Sequence, residues 1–437
     1  MVLHNLEQKI RDKSAIISVI GLGYVGLPLV VAFAEAGYHV LGVEIQKRRV
    51  DAVNRGESYI GDVTSERLAH VVSKKLLEAT QNQDRLAEAD TISLCVPTPL
   101  TKTKQPDLSY IIYETEEVAK RLRPGQLIVV ESTTYPGTTR EVCLPILEKN
   151  GLKVGKDFYL AFSPERIDPG TVKYSLKNVP KIVGGIESES TKMALLLYSQ
   201  IVDKVYPVSS AEVAEMTKVF ENVFRSVNIA LVNETAQLCH VLGISMWEVI
   251  EAASTKPYGF MPFYPGPGVG GHCIPLDPYY LADKAKEYDF HTRFIELAGE
   301  INERIPYYVV ERIAEALNNH GKSIKDAKIL VLGIAYKKDV GDPRESPSLK
   351  LIELLLKKRA KVDYNDPYIP ETSYIKGHVL KSIEVTQESL GKMDCVIIAT
   401  NHTAYDYDQI VRWSKLVFDT RGATRKLNYK NIIRLGE

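Results

Sequence analysis

Cys273 lies in Gly-Val-Gly-Gly-His-Cys-Ile-Pro-Leu-Asp, residues 268–277, four residues before Asp277. A thiolate can hold a carbonyl carbon covalently between two chemical steps. Asp277 followed by Pro278 is the arrangement favoured where a helix begins. A thiol just ahead of a helix N-terminus has its thiolate stabilised by the helix dipole. Asp277 therefore reads as a helix cap, as a partner of the thiol, or as both. The glycines at 266, 268, 270 and 271 allow backbone to approach a ligand closely. The other cysteines, Cys95, Cys143, Cys239 and Cys395, are scattered and form no CxxC pair, so they read as small buried apolar residues. No metal site is expected.

A second chemical signature opens the chain. Gly21-Leu-Gly23-Tyr24-Val25-Gly26 follows an apolar strand pattern and starts a helical one. The first glycine permits the turn, the second lets backbone approach a pyrophosphate, and the third lets helix and strand pack closely. Glu44 closes the next strand, where a carboxylate accepts from ribose hydroxyls and repels a 2′-phosphate. This favours NAD over NADP, although Lys47, Arg48 and Arg49 follow at once. A hydride-accepting cofactor paired with a reactive thiol points to two successive oxidations.

Other candidates lie between these two sites. Val96-Pro97-Thr98-Pro99 and Glu131-Ser132-Thr133-Thr134-Tyr135-Pro136-Gly137 follow strand patterns, at the sheet edge where open α/β folds bind ligands. The Thr133 hydroxyl can orient water or a substrate oxygen there. Ser163-Pro164-Glu165-Arg166 ends another strand; Glu165 can act as a base toward water or form a surface ion pair. Lys218 and Asn222 are four apart and share a face of an apolar helical stretch. A buried lysine either works on developing charge or pairs with a carboxylate, here Glu215 or Glu221.

These residues need a frame. Apolar strand runs at 15–20, 39–44, 91–96, 127–131 and 158–162 alternate with helical patterns, which implies a parallel, doubly wound sheet. From Ser209 to Leu242 there is no glycine or proline, and apolar residues recur at helical spacing, predicting one long helix that serves as spacer and dimer contact. Alternation resumes with strands at 328–332, 361–364, 395–399 and 416–418 and a helix over 348–358. The expected fold is α/β, with two Rossmann-like domains of parallel sheet joined by a long central helix and a small helical middle domain. The expected boundaries are 1–208, 209–318 and 319–437. Fifty-five basic residues balance 55 acidic ones in 437, which gives no electrostatic case for nucleic acid or a membrane surface. The N-terminal residues lack the apolar core of a signal peptide, and no apolar run is long enough to span a bilayer. The expectation is a cytoplasmic protein.

The motifs GLGYVG (21–26), ESTTYPGTT (131–139), SPER (163–166), EMTKVFEN (215–222), GVGGHCIPLD (268–277) and AYKKDVGDPRES (335–346) occur in one order along the chain. Together they resemble the nucleotide-sugar 6-dehydrogenase family. The resemblance implies an N-terminal NAD domain, dimerisation through the long helix and a UDP-binding C-terminal domain. It implies Cys273 as nucleophile, with Lys218, Asn222 and Asp277 as companions, and Thr133 and Glu165 handling water and protons. Gly21, Gly23, Tyr24, Val25, Gly26, Glu44, Pro97, Thr98, Thr133 and Lys338 fall to the cofactor. Glu165, Arg166, Lys218, Asn222, Tyr264, Gly268, Gly270, Lys338 and Arg421 fall to the substrate. The segments Glu165–Gly170 and Lys256–Gly268 resemble the branch acting on UDP-N-acetylhexosamines, with UDP-N-acetylglucosamine favoured and Arg293 a further contact. The implied product is a uronic acid for surface polysaccharide synthesis. The competing readings are the manno or galacto epimer, UDP-glucose, a two-electron hydroxyacid dehydrogenase that needs no thiol, and a catalytically silent nucleotide-binding protein.

Overall fold

The computed structural model describes residues 4–101, 105–167, 174–271, 274–375 and 377–437. His272, Cys273 and residues 168–173 lie outside the described residues. The chain packs as two units, Met1–Glu221 with Tyr279–Phe290, and Asn222–Pro278 with His291–Glu437.

The first unit holds an eight-stranded sheet. Its strands are β1 (Ile16–Ile20), β2 (His39–Val43), β3 (Leu77–Thr80), β4 (Thr91–Leu94), β5 (Leu127–Val130), β6 (Tyr159–Phe162), β7 (Lys181–Gly185) and β8 (Val205–Pro207). Their order is β3-β2-β1-β4-β5-β6-β7-β8. The unbroken apolar runs follow from burial on both faces. Ile17 and Val19 enter one apolar layer with Leu27, Val30, Val31 and Phe33 of the helix Gly26–Glu35. Ile20 enters the opposite layer with Ile92, Leu94, Ile128 and Val130.

All pairings in this sheet are parallel except β6 with β7, which run antiparallel through Ala161↔Gly185 and Phe162↔Gly184. The sheet is parallel-dominated, as expected, and this one pairing is the exception. A parallel neighbour needs a crossover, usually helical. Among the described residues of the link from β6 to β7 there is no helix.

The second unit holds a five-stranded parallel sheet of β9 (Lys328–Leu332), β10 (Lys361–Asn365), β13 (Cys395–Ile398), β14 (Val417–Asp419) and β15 (Ile432–Arg434), in the order β10-β9-β13-β14-β15. A short hairpin of β11 (Glu371–Thr372) and β12 (Leu380–Lys381) lies between β10 and β13 in sequence.

The long helix is present as Ala211–Leu242, 32 residues, or about 48 Å at 1.5 Å per residue. Gly243 follows with φ of 69°, the left-handed value that stops a helix. A helix occupies Asp277–Lys286. A further 27-residue helix, Arg293–Asn319, falls within the stretch expected to be helical, although its bounds were not predicted, and it carries Pro306 in its interior. Among the described residues no helix is long and apolar enough to cross a membrane.

Candidate active site

The first unit builds a tight glycine turn at the carboxyl edge of β1. Gly21 has φ of 89°, and a methyl group there would lie 2.5 Å from the Cys95 carbonyl oxygen. A methyl on Gly26 would lie 1.9 Å from the Gly21 carbonyl oxygen. Both positions are closed to any side chain. At Gly23 no described atom lies within 4 Å of the same methyl, which leaves room for a ligand beside the turn. Leu27 N–H bonds back to the Gly23 carbonyl, so the helix begins directly at the turn. Val25 is half-buried, and Tyr24 is exposed.

Glu44 lies at the end of β2 and is buried. Its Oε2 accepts from Leu22 N–H and its Oε1 from Gln46 N–H. Arg49 Nη1 lies 3.2 Å from Oε2. The carboxylate is thereby held beside the glycine turn.

Two further loops are fastened on this edge. The Ser132 hydroxyl accepts from Val96 N–H and donates to the Val96 carbonyl, tying the Pro97–Thr98 loop to the Thr133 loop. The Thr98 carbonyl accepts from the Tyr280 hydroxyl at 2.5 Å. Pro97 is exposed and Thr133 half-buried.

Glu165 bends over its own backbone. Its Oε1 accepts from the N–H groups of Arg166 and Ile167, and its Oε2 lies 3.9 Å from Lys181 Nζ. Arg166 donates through Nε and Nη2 to Glu221 and through Nη1 to the Pro180 carbonyl. Its guanidinium fixes the loop after β6 to the long helix.

Lys218 is buried, and among the described residues it has no hydrogen-bond or ion-pair partner. The two carboxylates that could have neutralised it are engaged elsewhere. Glu221 holds Arg166, and Glu215 accepts from Gly137 and Thr139. A buried cation without a structural partner is costly and is suited to charge on a ligand.

Asn222 and Asp277 meet within the second unit. Asn222 Nδ2 donates to Asp277 Oδ2 at 2.5 Å, and both residues are buried. The glycine segment ahead of Asp277 packs against the C-terminal α/β region. A methyl on Gly268, Gly270 or Gly271 would lie 3.0 Å from Pro347 Cβ, 2.8 Å from the Glu345 carbonyl oxygen or 2.9 Å from the Tyr336 ring, respectively. The close approach these glycines permit is therefore to protein. A methyl on Gly266 would lie 2.6 Å from Arg421 Nη1. Arg421 uses its Nε on the Ala399 carbonyl, while Asp419 Oδ1 accepts from its backbone N–H. Desolvation pushes the guanidinium down to about 10 against the opposing pull of Asp419.

Tyr264 stacks on Trp247 at 6.1 Å between ring centres, with Arg425 over both rings. Lys338 is exposed, on a loop fixed from below. Asp366 Oδ2 accepts from Ile334 N–H, Ala335 N–H and His402 Nε2, while His402 Nδ1 accepts from Asp339 N–H. Arg293 is exposed at the start of its helix.

Sequence reasoning missed a buried charged group in the first unit. Lys181 Nζ lies 2.8 Å from Glu131 Oε2, and the Tyr198 hydroxyl donates to Glu131 Oε1 at 2.5 Å. Burial opposes the lysine charge, but Glu131 and Glu165 outweigh it, and its pKa is raised. This network anchors the strand end two residues before Thr133. Of the cysteines read as packing residues, Cys143, Cys239 and Cys395 are buried and Cys95 is half-buried. Burial pushes the Cys143 and Cys395 thiols up to about 12 and raises Cys95 as well.

The UDP-glucose/GDP-mannose dehydrogenase family is matched three times along the chain: its NAD binding domain at residues 15–202, its central domain at 212–304 and its UDP binding domain at 330–426. A UDP-N-acetyl-D-mannosamine dehydrogenase of Pyrococcus horikoshii is 38% identical over 401 residues, 92% of each chain. The chain belongs to the UDP-glucose/GDP-mannose dehydrogenase family. This NAD-dependent UDP-sugar dehydrogenase is also 35% identical to a UDP-N-acetyl-D-glucosamine 6-dehydrogenase of Salmonella typhi, over 89% of this chain and 90% of that one. A solved UDP-D-ManNAc dehydrogenase from Pyrococcus horikoshii superposes with a TM-score of 0.88 at 34% identity, covering 96% of this dehydrogenase and 99% of that chain. The glycine turn at Gly21–Gly26 is thus part of an NAD domain, and the sheet of β9 and its neighbours part of a UDP domain.

Proposed function

We propose that this dehydrogenase oxidises the C6 alcohol of a UDP-N-acetylhexosamine to the uronic acid, a four-electron change, through a covalent intermediate on Cys273. The observation that carries this reading is the buried Asn222–Asp277 pair, an amide and a carboxylate held together four residues from the thiol in sequence. NAD on the Gly21–Gly26 turn supplies a hydride acceptor for each oxidation. The remaining work falls to side chains. Asp277, through water, takes the alcohol proton in the first oxidation. The Cys273 thiolate then adds to the aldehyde carbon: an S–C bond forms, and the carbonyl electron pair moves to oxygen. Lys218 and Asn222 hold that negative oxygen, which is protonated to the thiohemiacetal. Loss of its C–H hydride and O–H proton leaves the thioester. Water, oriented by Thr133 and giving its proton to Glu165, adds to the thioester. The C–S bond breaks, and carboxylate and thiolate result. Arg166 positions the Glu165 loop, and Arg421 and Lys338 bear on the anionic nucleotide.

Within the hexosamine class we propose the gluco epimer, on the segments Glu165–Gly170 and Lys256–Gly268. The 38% identity to a relative named for the manno epimer supports a second reading. A panel of UDP-N-acetylglucosamine, its manno and galacto epimers and UDP-glucose, followed by NADH formation and product mass, tests both. The expected result is fastest turnover of the gluco epimer with two NADH per acid. Faster turnover of the manno epimer selects the second reading. One NADH per product, or activity on UDP-glucose alone, overturns the class.

We also propose a cytoplasmic homodimer paired through the long helix, with residues 1–208 serving the cofactor, 209–318 the thiol and the dimer, and 319–437 the nucleotide. Val213, Phe220, Phe224, Leu231 and Leu238 form a stripe at spacings of seven and four, each between 41 and 59% exposed. A soluble protein rarely leaves such a stripe uncovered. The double variant Leu231→Asp, Leu238→Asp is expected to sediment as a monomer where the wild type sediments as a dimer. An unchanged sedimentation coefficient rejects this interface.

A further inference from the structure

Glu215 is fully buried on the long helix and takes no part in the steps above. Its Oε2 accepts from Gly137 N–H at 2.6 Å. Its Oε1 accepts from Thr139 N–H at 2.8 Å and from the Thr139 hydroxyl at 2.6 Å. All three donors come from the end of the loop that carries Thr133. Gly137 has φ of 102°, and a methyl there would lie 2.7 Å from Glu141 Oε1, so the donors are presented by a backbone that only glycine can form. Glu215 is three residues before Lys218, hence on the same side of the helix.

We infer that Glu215 is a positioning residue: it fastens the Thr133 loop to the helix that bears Lys218, and the loop keeps its working shape only while Glu215 is a carboxylate. This rests on the roles proposed above for Thr133 and Lys218. The geometry leaves no substitute for the charge. An ionised carboxylate is acceptor only and satisfies three donors at once. A protonated carboxyl gives up acceptor capacity to its own O–H, and an amide turns N–H toward one of those donors, so either weakens the three-bond arrangement. Among the described residues no cation offsets the burial. From its own helix Glu215 faces Glu212, which pairs with Arg140, and from the opposing segment it faces the Cys143 thiol. Glu141 and Lys284 nearby in that segment pair with each other. Burial therefore pushes Glu215 up to about 7 against the lowering effect of its hydrogen bonds.

The sign is definite. The three-bond arrangement is at full strength above pH 7 and weakens as pH falls through 7. Stability moves the other way. The folded state binds the proton more tightly than the unfolded chain, whose ordinary value is 4.5, so Glu215 adds stability as pH falls from 7 toward 4.5. A residue that served structure alone would not make activity and stability diverge.

The test uses the full chain with NAD and the best UDP-sugar of the panel. For the wild type, kcat is expected to fall on the acid side with a midpoint near 7. For Glu215→Gln that limb is expected to vanish, with kcat on the alkaline plateau about tenfold lower and KM values within about twofold of wild type. Thr139→Val removes one donor to the charged form, and its acid limb is expected to shift to higher pH. An unchanged limb in both variants overturns the inference, and if Glu215→Gln does not fold, Thr139→Val alone decides. Amide exchange at Gly137 and Thr139 reads the fastening without turnover. After correction for intrinsic rates, protection that rises through pH 7 supports it even where no UDP-sugar is turned over, a result that would sink the proposed function alone. Protection that is flat with pH overturns it.

Discussion

Cys273→Ser is expected to release uronic acid at least about a thousandfold more slowly than wild type, a barrier increase of roughly 4 kcal/mol. The argument is one of leaving groups and nucleophiles. A serine hydroxyl is protonated at neutral pH, whereas a thiol ahead of a helix N-terminus ionises readily. The first oxidation does not need the sulfur, so NADH is expected to form up to about one equivalent per active site and then stop. Rapid mixing with absorbance detection, followed by mass analysis of the nucleotide products, reads both halves. Uronic acid released by the serine variant at the wild-type rate would remove the covalent step from the mechanism, and the two-electron reading would then have to be reopened.

Lys218→Met is expected to lower kcat by about a hundred- to a thousandfold, the range seen when one donor to a developing oxyanion is lost. Its effect on KM should be small, because the charge it answers appears only after the sulfur has added. The same variant is expected to be more stable than wild type. Lys218 is buried without a partner among the described residues, and methionine replaces an uncompensated ammonium with an apolar chain of similar length. Each kcal/mol gained raises the melting temperature by about 2–4 °C for a unit of this size. Calorimetry beside steady-state kinetics decides. A destabilised Lys218→Met with proportionate loss in kcat and KM would make the lysine an ordinary structural residue.

Much of this arrangement was legible in the residues because it is local. GLGYVG encodes a turn whose steric limits are set within six positions, and Gly21 and Gly26 meet those limits in space. Runs such as Ile17–Ile20 and Ile128–Val130 announce strands buried on both sides. The return of β7 was hidden, since Lys-Ile-Val-Gly-Gly is short, glycine-rich and has no helix before it among the described residues. The continuity of the helix Arg293–Asn319 within the expected helical region was hidden by Pro306, which reads as a helix breaker yet is carried in the interior of the helix. Side-chain networks were the least accessible. Lys181 reaches Glu131 across 50 residues, and His402 reaches Asp366 across 36. No spacing rule connects residues brought together by sheet order. Glu215 was visible only as a possible partner for Lys218, and packing gave it to Gly137 and Thr139 instead.

Residues Tyr279–Phe290 belong to the first unit although they follow Cys273 in the chain. Tyr280 steadies the Thr98 loop, and Lys284 pairs with Glu141. During synthesis, domains tend to fold as they emerge. Here the cofactor-binding half stays unfinished until Phe290 has been added. A fragment cut after Glu221 would have every strand of its sheet and still lack the piece that braces its ligand edge. A truncated cofactor domain would thus be a poor proxy for the intact one.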